Sequence, residues 1–180
     1  MPSIAFADAV NEQIGHEYAA HQQYLAIAVY YDEQTLPHMA QFFYKQALEE
    51  RGHAMMMIQY LLDQDSGPII PGIKPPKVAF VDIVEPVRLA LDQEKTVTDQ
   101  INAIAALARS ENDFAGEQFI QWFIKEQVEE VSSMSDLLTV VQRLTDSPMQ
   151  IEDHLAREMA ASAGGAGDPS EPPQAGGASA

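Results

Sequence analysis

Hydrophobic positions recur every three to four residues along four long stretches of the chain, with polar positions between them. That period is helical. It predicts helices over about residues 5–33, 36–65, 83–109 and 113–143, and a shorter fifth after Ser147 that fades near Ala160. Start signals support these bounds: Thr35 as an N-cap before Pro37, Asp82 with Glu85 and Pro86, and Ser147 with Pro148 and Gln150. Only a few residues around Gln34 and around Glu111 separate helices one from two and three from four. Joints that short impose antiparallel hairpins. Residues 66–81 differ, with Gly67, Pro68, Pro71, Gly72, Pro75 and Pro76. The segment is too long and stiff for a hairpin turn, but it can run the ~40 Å length of a bundle of roughly 28-residue helices. The predicted fold is all-α: a four-helix bundle with one long crossover and a short fifth helix. Residues 1–160 form its one domain. Residues 161–180 are mostly Ala, Gly, Ser and Pro and predict a flexible tail.

Charge narrows the choice of partners. The 180 residues carry 10 Lys+Arg against 27 Asp+Glu, a net charge of −17. So acidic a chain repels nucleic-acid phosphates and anionic membrane surfaces, and it attracts cations. No apolar run is long enough to span a bilayer. Neither nucleic acid nor membrane is expected as a partner, and the expected location is cytoplasmic. Cysteine is absent, which excludes disulfides, Cys-ligated zinc and iron–sulfur clusters.

Helix two contains Glu50-Arg51-Gly52-His53, a Glu-x-x-His that sets a carboxylate and an imidazole on one face, one turn apart. Alone, that spacing is common on solvated helices. The other helices add Glu17, Glu94, Gln127 and Glu130, each near the middle of its own segment. Midpoints of antiparallel helices share one level of a bundle, where a core metal site is built. The interval from Glu17 to Glu50 equals that from Glu94 to Gln127, so the two hairpins carry matched polar positions. Apolar residues flank them: Ile14 and Leu25 about Glu17, Leu48 and Met56 about Glu50, Leu91 and Val97 about Glu94, Ile124 and Val128 about Glu130. Four carboxylates buried together must protonate or bind cations. Oxygen donors with one imidazole favour iron or manganese over copper or zinc. The expected centre is dinuclear, with Glu50 bridging. One metal takes Glu17, Glu50 and His53; the other takes Glu50, Glu94 and Glu130.

Glu17, Tyr24, Glu50, His53, Glu94, Gln127 and Glu130, together with ALEERGHAMM, LALDQEKTVTDQI and FIKEQVEEV, resemble the ferroxidase centre and signatures of bacterial non-haem ferritins. The resemblance covers about residues 5–160 and is particular to actinobacterial ferritins of the type labelled bacterioferritin B. It implies a ferritin-like bundle and oxidation of Fe(II) to Fe(III) by dioxygen at a two-iron centre within each subunit. It also implies storage of the ferric mineral in a homo-oligomeric 24-subunit shell. Glu49, Glu126 and Glu129 then match a third iron site, and Glu117 falls where such shells carry a pore acid. Gln127 would hydrogen-bond a bridging oxygen or water. Tyr24 would bond a ligand or supply an electron, and Trp122 would serve mainly as packing. No haem is expected. Haem-containing bacterioferritins carry Met directly after the helix-two Glu, where Arg51 stands. They also repeat Glu-x-x-His on helix four, where Gln127-Val128-Glu129-Glu130 stands.

Three rival readings predict different behaviour. A non-catalytic helical assembly protein would not consume oxygen when Fe(II) is added. A di-iron oxidase of an organic substrate would need an apolar pocket beside the metals and would be small in solution. A haem-containing bacterioferritin would need a haem-ligating Met.

Overall fold

The computed structural model describes residues 2–162, 168 and 170–176. It contains α1 (Ile4–Glu33), α2 (Pro37–Asp63), α3 (Glu85–Ser110), α4 (Phe114–Arg143) and α5 (Pro148–Ser162), with no strand among the described residues. The all-α expectation holds. No described helix is long and apolar enough to cross a membrane.

Three helices stop in one way. Thr35, Asp65 and Asn112 take φ of 60°, 52° and 57°. The next N–H then turns back five residues: Leu36 to the Tyr31 carbonyl, Ser66 to Leu61 and Asp113 to Ala108, at 2.9–3.0 Å. This is the Schellman stop. It also corrects the role expected of Thr35, which closes α1 and does not cap α2. The N-cap of α2 is Leu36, which has no side chain able to accept. Glu152 of α5 supplies the acceptor, taking the His38 and Met39 N–H groups at 2.7 and 3.0 Å. Elsewhere local caps suffice. Ser3 accepts from Phe6 N–H at 3.0 Å, and Asp113 accepts from Gly116 N–H at 2.9 Å. Asp82 accepts from Val84 and Glu85 N–H while Glu85 reaches back to Val81 N–H, close to the reciprocal pattern expected there.

The crossover runs beside α1 from one end to the other. Asn11 accepts from Ile69 N–H, and Gly15 faces the Pro71 ring. The Gln23 amide clasps the Lys77 backbone in both directions, at 2.8 and 2.9 Å. Tyr30 packs edge-on against Phe80, and the Tyr31 hydroxyl donates to the Ile83 carbonyl at 2.7 Å. The crossover therefore starts α3 at the far end of the bundle. There α3 runs antiparallel to α1 and pairs with α4 as a second hairpin.

Apolar residues fill the bundle as two clusters. One holds Tyr31, Phe43, Val87, Met134 and Val141, closed by Ile151 and Leu155 of α5. The other holds Phe6, Ile14, Met57, Leu61, Ile101 and Ile120. Each fully buried large side chain contributes about 1.5–3 kcal/mol relative to exposure, so the two clusters hold the four helices in register. Between them lies a polar layer.

Of the tail expected over 161–180, Ala161 and Ser162 belong to α5. Asp168 and residues 170–176 lie against α2 and α4, where Lys125 pairs with Asp168 and Ala175 N–H donates to the Met55 carbonyl. Residues 163–167, 169 and 177–180 lie outside the described residues.

Candidate metal centre

Eight polar side chains from four helices occupy the layer between the apolar clusters. They are Gln13 and Glu17 of α1, Gln46, Glu50 and His53 of α2, Glu94 of α3, and Gln127 and Glu130 of α4; none is more than 6% exposed. The expected Glu17, Glu50, His53, Glu94, Gln127 and Glu130 are all brought inside. The step along the chain from Glu17 to Glu94 equals the step from Glu50 to Gln127 and that between the two hairpin-turn residues, Thr35 and Asn112. The second hairpin thus repeats the first, and that repetition sets the ligands at one height.

On the α1–α2 side, one donor atom from each of Glu17, Glu50 and His53 lies within 4.8 Å of the others. His53 Nδ1 stands 3.5 Å from Glu50 Oε2 and 3.8 Å from Glu17 Oε2. Trp122 and Phe123 meet the imidazole edge-on at 5.7 and 5.8 Å and fix its plane. Gln13 donates to Glu17 Oε1 at 2.8 Å. Glu17 Oε2 and both Glu50 oxygens are buried with no hydrogen-bond donor. Buried polar groups are ordinarily paired, so these atoms suit a cation.

The α3–α4 side is more fully satisfied by protein. The Tyr24 hydroxyl donates to Glu94. Thr98 Oγ1 lies 3.0 Å from Gln127 Oε1 and 2.8 Å from the Glu94 carbonyl. The Gln127 amide N–H is thereby aimed at the Glu94 carboxyl. The Gln46 amide donates to Glu49 and lies 3.5 Å from Glu130 Oε1. Glu94 Oε2 and the Gln46 amide oxygen are buried here without a partner.

The electrostatics agree with the geometry. Burial pushes the Glu17 carboxyl well above its usual range, and the Glu50 charge beside it adds to this. Burial and then Glu94 do the same to Glu50. Glu130 is pushed up to about 8, by burial first and then by Glu94. Burial raises Glu94 too, against the opposing donation from Tyr24. The Tyr24 hydroxyl is itself driven far up by burial and the Glu94 charge, which keeps it a donor. Each shift favours the protonated acid over the charged one, and a cation that takes the proton's place relieves the layer.

Glu49, Glu126 and Glu129 come together outside the layer, lining a cavity of about 570 Å³ with His53 and Trp122. Lys45 pairs with Glu49 at 3.0 Å, and burial raises the Glu126 carboxyl. Trp122 lines this cavity and packs on His53 and Phe123, as a packing residue should. Glu117 is engaged by the Arg109 guanidinium at 2.7 and 2.9 Å.

Some expected neighbours turn away. Leu48 and Val128 are 65% and 69% exposed. Each lies two residues before its glutamate, and two residues rotate about 200° around a helix. Gln13, Gln46 and Thr98 are missing from the expected set. The sequence carries a signal for the first two: each stands one helical turn before its glutamate, Glu17 or Glu50, on the same face. The interval between them therefore matches the interval between those glutamates.

A one-crossover bundle that encloses carboxylates and an imidazole between two apolar clusters has the architecture of a ferritin-like protein. Residues 7–144 match the family described as a ferritin-like domain. The chain is 53% identical over 169 residues to ferritin BfrB of Mycolicibacterium smegmatis, covering 94% of this chain and 92% of that one. It is 38% identical over 138 residues to a bacterial non-heme ferritin of Staphylococcus epidermidis, covering 77% and 83%. Among solved structures, an open-pore ferritin from Archaeoglobus fulgidus superposes with a TM-score of 0.83 at 25% identity, over 86% of this chain and 96% of that one. The chain belongs to the ferritin family.

Proposed function

We propose that this chain is the subunit of an iron-storage shell and oxidises Fe(II) with dioxygen at the buried layer. The observation that carries the proposal is the convergence of Glu17, Glu50 and His53 on one space, with three carboxylate oxygens lacking any donor. Iron is the substrate and cargo. Glu17, Glu50 and His53 would take one ferrous ion; Glu94 and Glu130 would take a second, with Glu50 shared. Two Fe(II) ions give one electron each to dioxygen, and no side chain needs to act as a covalent nucleophile. Gln127 is neutral, so it would hydrogen-bond a bridging oxygen or water and add no charge to hold the ferric product. An apolar groove of about 330 Å³, lined by Ile101, Ile124 and Val131, reaches Gln127 between α3 and α4 and suits an uncharged diatomic. Glu49, Glu126 and Glu129 are proposed to hold a third ion.

The shell is proposed to be a 24-subunit homo-oligomer with no haem. Sedimentation or gel filtration separates this from the oxidase of an organic substrate, which would be a small particle. Anomalous diffraction at the iron edge should place two ions in the layer and a third at the Glu126–Glu129 cavity. The double variant Glu50→Ala/His53→Ala should lose fast oxygen consumption while the particle keeps its size. Unchanged fast oxidation in that variant would dismiss the assignment.

A further inference from the structure

We infer that the C-terminal segment is a working wall of the cavity in front of His53: Asp168 draws Lys125 off Glu126 and Glu129 and so leaves those carboxylates open to a cation. The inference rests on the third-ion reading proposed above. Asp168, Glu171 and Gln174 line the cavity together with Glu49, Glu126 and Glu129. Two lysines border it as well, Lys45 on α2 and Lys125 on α4. Each stands four residues before a cavity glutamate on its own helix, Glu49 and Glu129, a spacing at which Lys and Glu pair. Lys45 does pair, at 3.0 Å. Lys125 does not; its Nζ lies 2.9 Å from Asp168 Oδ2. Among the described residues Glu126 and Glu129 have no ion pair, so Lys45 shows what Lys125 would do with Asp168 gone.

The Asp168 carboxylate is held ready for this contact. Its other oxygen accepts from the Ser170 N–H and hydroxyl at 2.8 and 2.7 Å, and Glu171 N–H returns to the Asp168 carbonyl at 3.1 Å. The segment is seated on α2. Ala175 N–H donates to the Met55 carbonyl at 3.1 Å, and Ala175 packs against the adjoining apolar cluster. A Cβ on Gly52 would stand 3.2 Å from the Gln174 amide nitrogen. Glycine weakens a helix interior; here the missing side chain makes room for the segment beside His53. A lysine lying on Glu129 would occupy the oxygens a cation needs and cancel their charge. On Asp168 it leaves those oxygens unoccupied and acts on Glu126 only through space, as a minor influence behind burial and His53.

Trp122 is the one tryptophan of the chain and borders the cavity, so terbium(III) luminescence excited through it reports cations there. The assembled full-length protein is titrated with terbium, with Glu126→Ala/Glu129→Ala as the blank. Asp168→Asn should weaken binding about two- to fivefold, the range of an exposed ion pair. In a Lys125→Ala background the same substitution should have no effect. If Asp168 acted through its own charge on the cation, or merely anchored the segment, the loss would persist in that background and the inference would fall. Equal binding by wild type and Asp168→Asn also overturns it. Terbium binding that survives intact in the blank removes the third-ion reading instead.

Discussion

The two sides of the polar layer are finished differently. On the α1–α2 side, Glu17, Glu50 and His53 aim donor atoms into one space and leave three carboxylate oxygens without partners. On the α3–α4 side, Glu94 takes a bond from Tyr24, Glu130 faces Gln46, and the position matched to Glu50 is the neutral Gln127 tied to Thr98. The first side is preorganised for a cation and poorly satisfied without one. The second has more protein donors, Tyr24 and the Gln127 amide on Glu94, which an incoming cation must displace. The same backbone plan, used once in each hairpin, is thus expected to give one tighter cation position and one looser one. A looser position suits an ion that must leave as product.

Four experiments sharpen or break this comparison. Glu50→Ala removes the carboxylate proposed to be shared by both sides. The initial oxygen-consumption rate should fall by more than the roughly 10–100-fold typical of losing an outer partner of a metal site. A rate within tenfold of wild type would mean the two sides do not share it. Next, His53→Ala should weaken zinc(II), a redox-inert stand-in for Fe(II), at the tighter of two calorimetric sites by at least the roughly 10–100-fold of an outer-partner loss. Glu130→Ala should affect the weaker site. A reversal of that order would invert the comparison.

The third experiment reads stability against pH. A carboxyl whose pKa is higher folded than unfolded keeps its proton in the fold, so its contribution is complete below about 4.5, the unfolded value, and is lost as pH rises through the folded one. For Glu130 that folded value is about 8, and Glu17, Glu50 and Glu94 shift in the same direction. Thermal unfolding of the metal-free protein should therefore move to lower temperature between pH 5 and 8. Zinc(II) should reverse the trend by replacing the protons. A metal-free protein that becomes more stable over that window would show the acids ionised and paired. The smallest effect is expected from Thr98→Val, which frees the Gln127 amide without touching a charge. The fast oxidation phase should change less than about tenfold, and the zinc affinity of the α1–α2 side should not change.

The helical period, the short joints and the Pro-rich crossover were legible because each is a local property of the chain. They placed the helix ends to within a few residues. Once the four helices were antiparallel, the midpoints alone put Glu17, Glu50, His53, Glu94, Gln127 and Glu130 on one level. Local patterns do not encode how far each helix is rotated about its axis or what a distant segment delivers. Leu48 and Val128 look like core beside their glutamates, yet they face outward. Thr35 looks like a cap, yet the acceptor for α2 is Glu152, on a helix far along the chain. Donation from Tyr24 to Glu94, from Gln46 toward Glu130, and the seating of the C-terminal segment over Gly52 all join residues far apart in the chain. Residue types and spacing determined that an acidic layer must lie inside this bundle. Packing decided which of its oxygens already have a donor and which are left for a cation, because that depends on distances of an ångström between side chains on different helices.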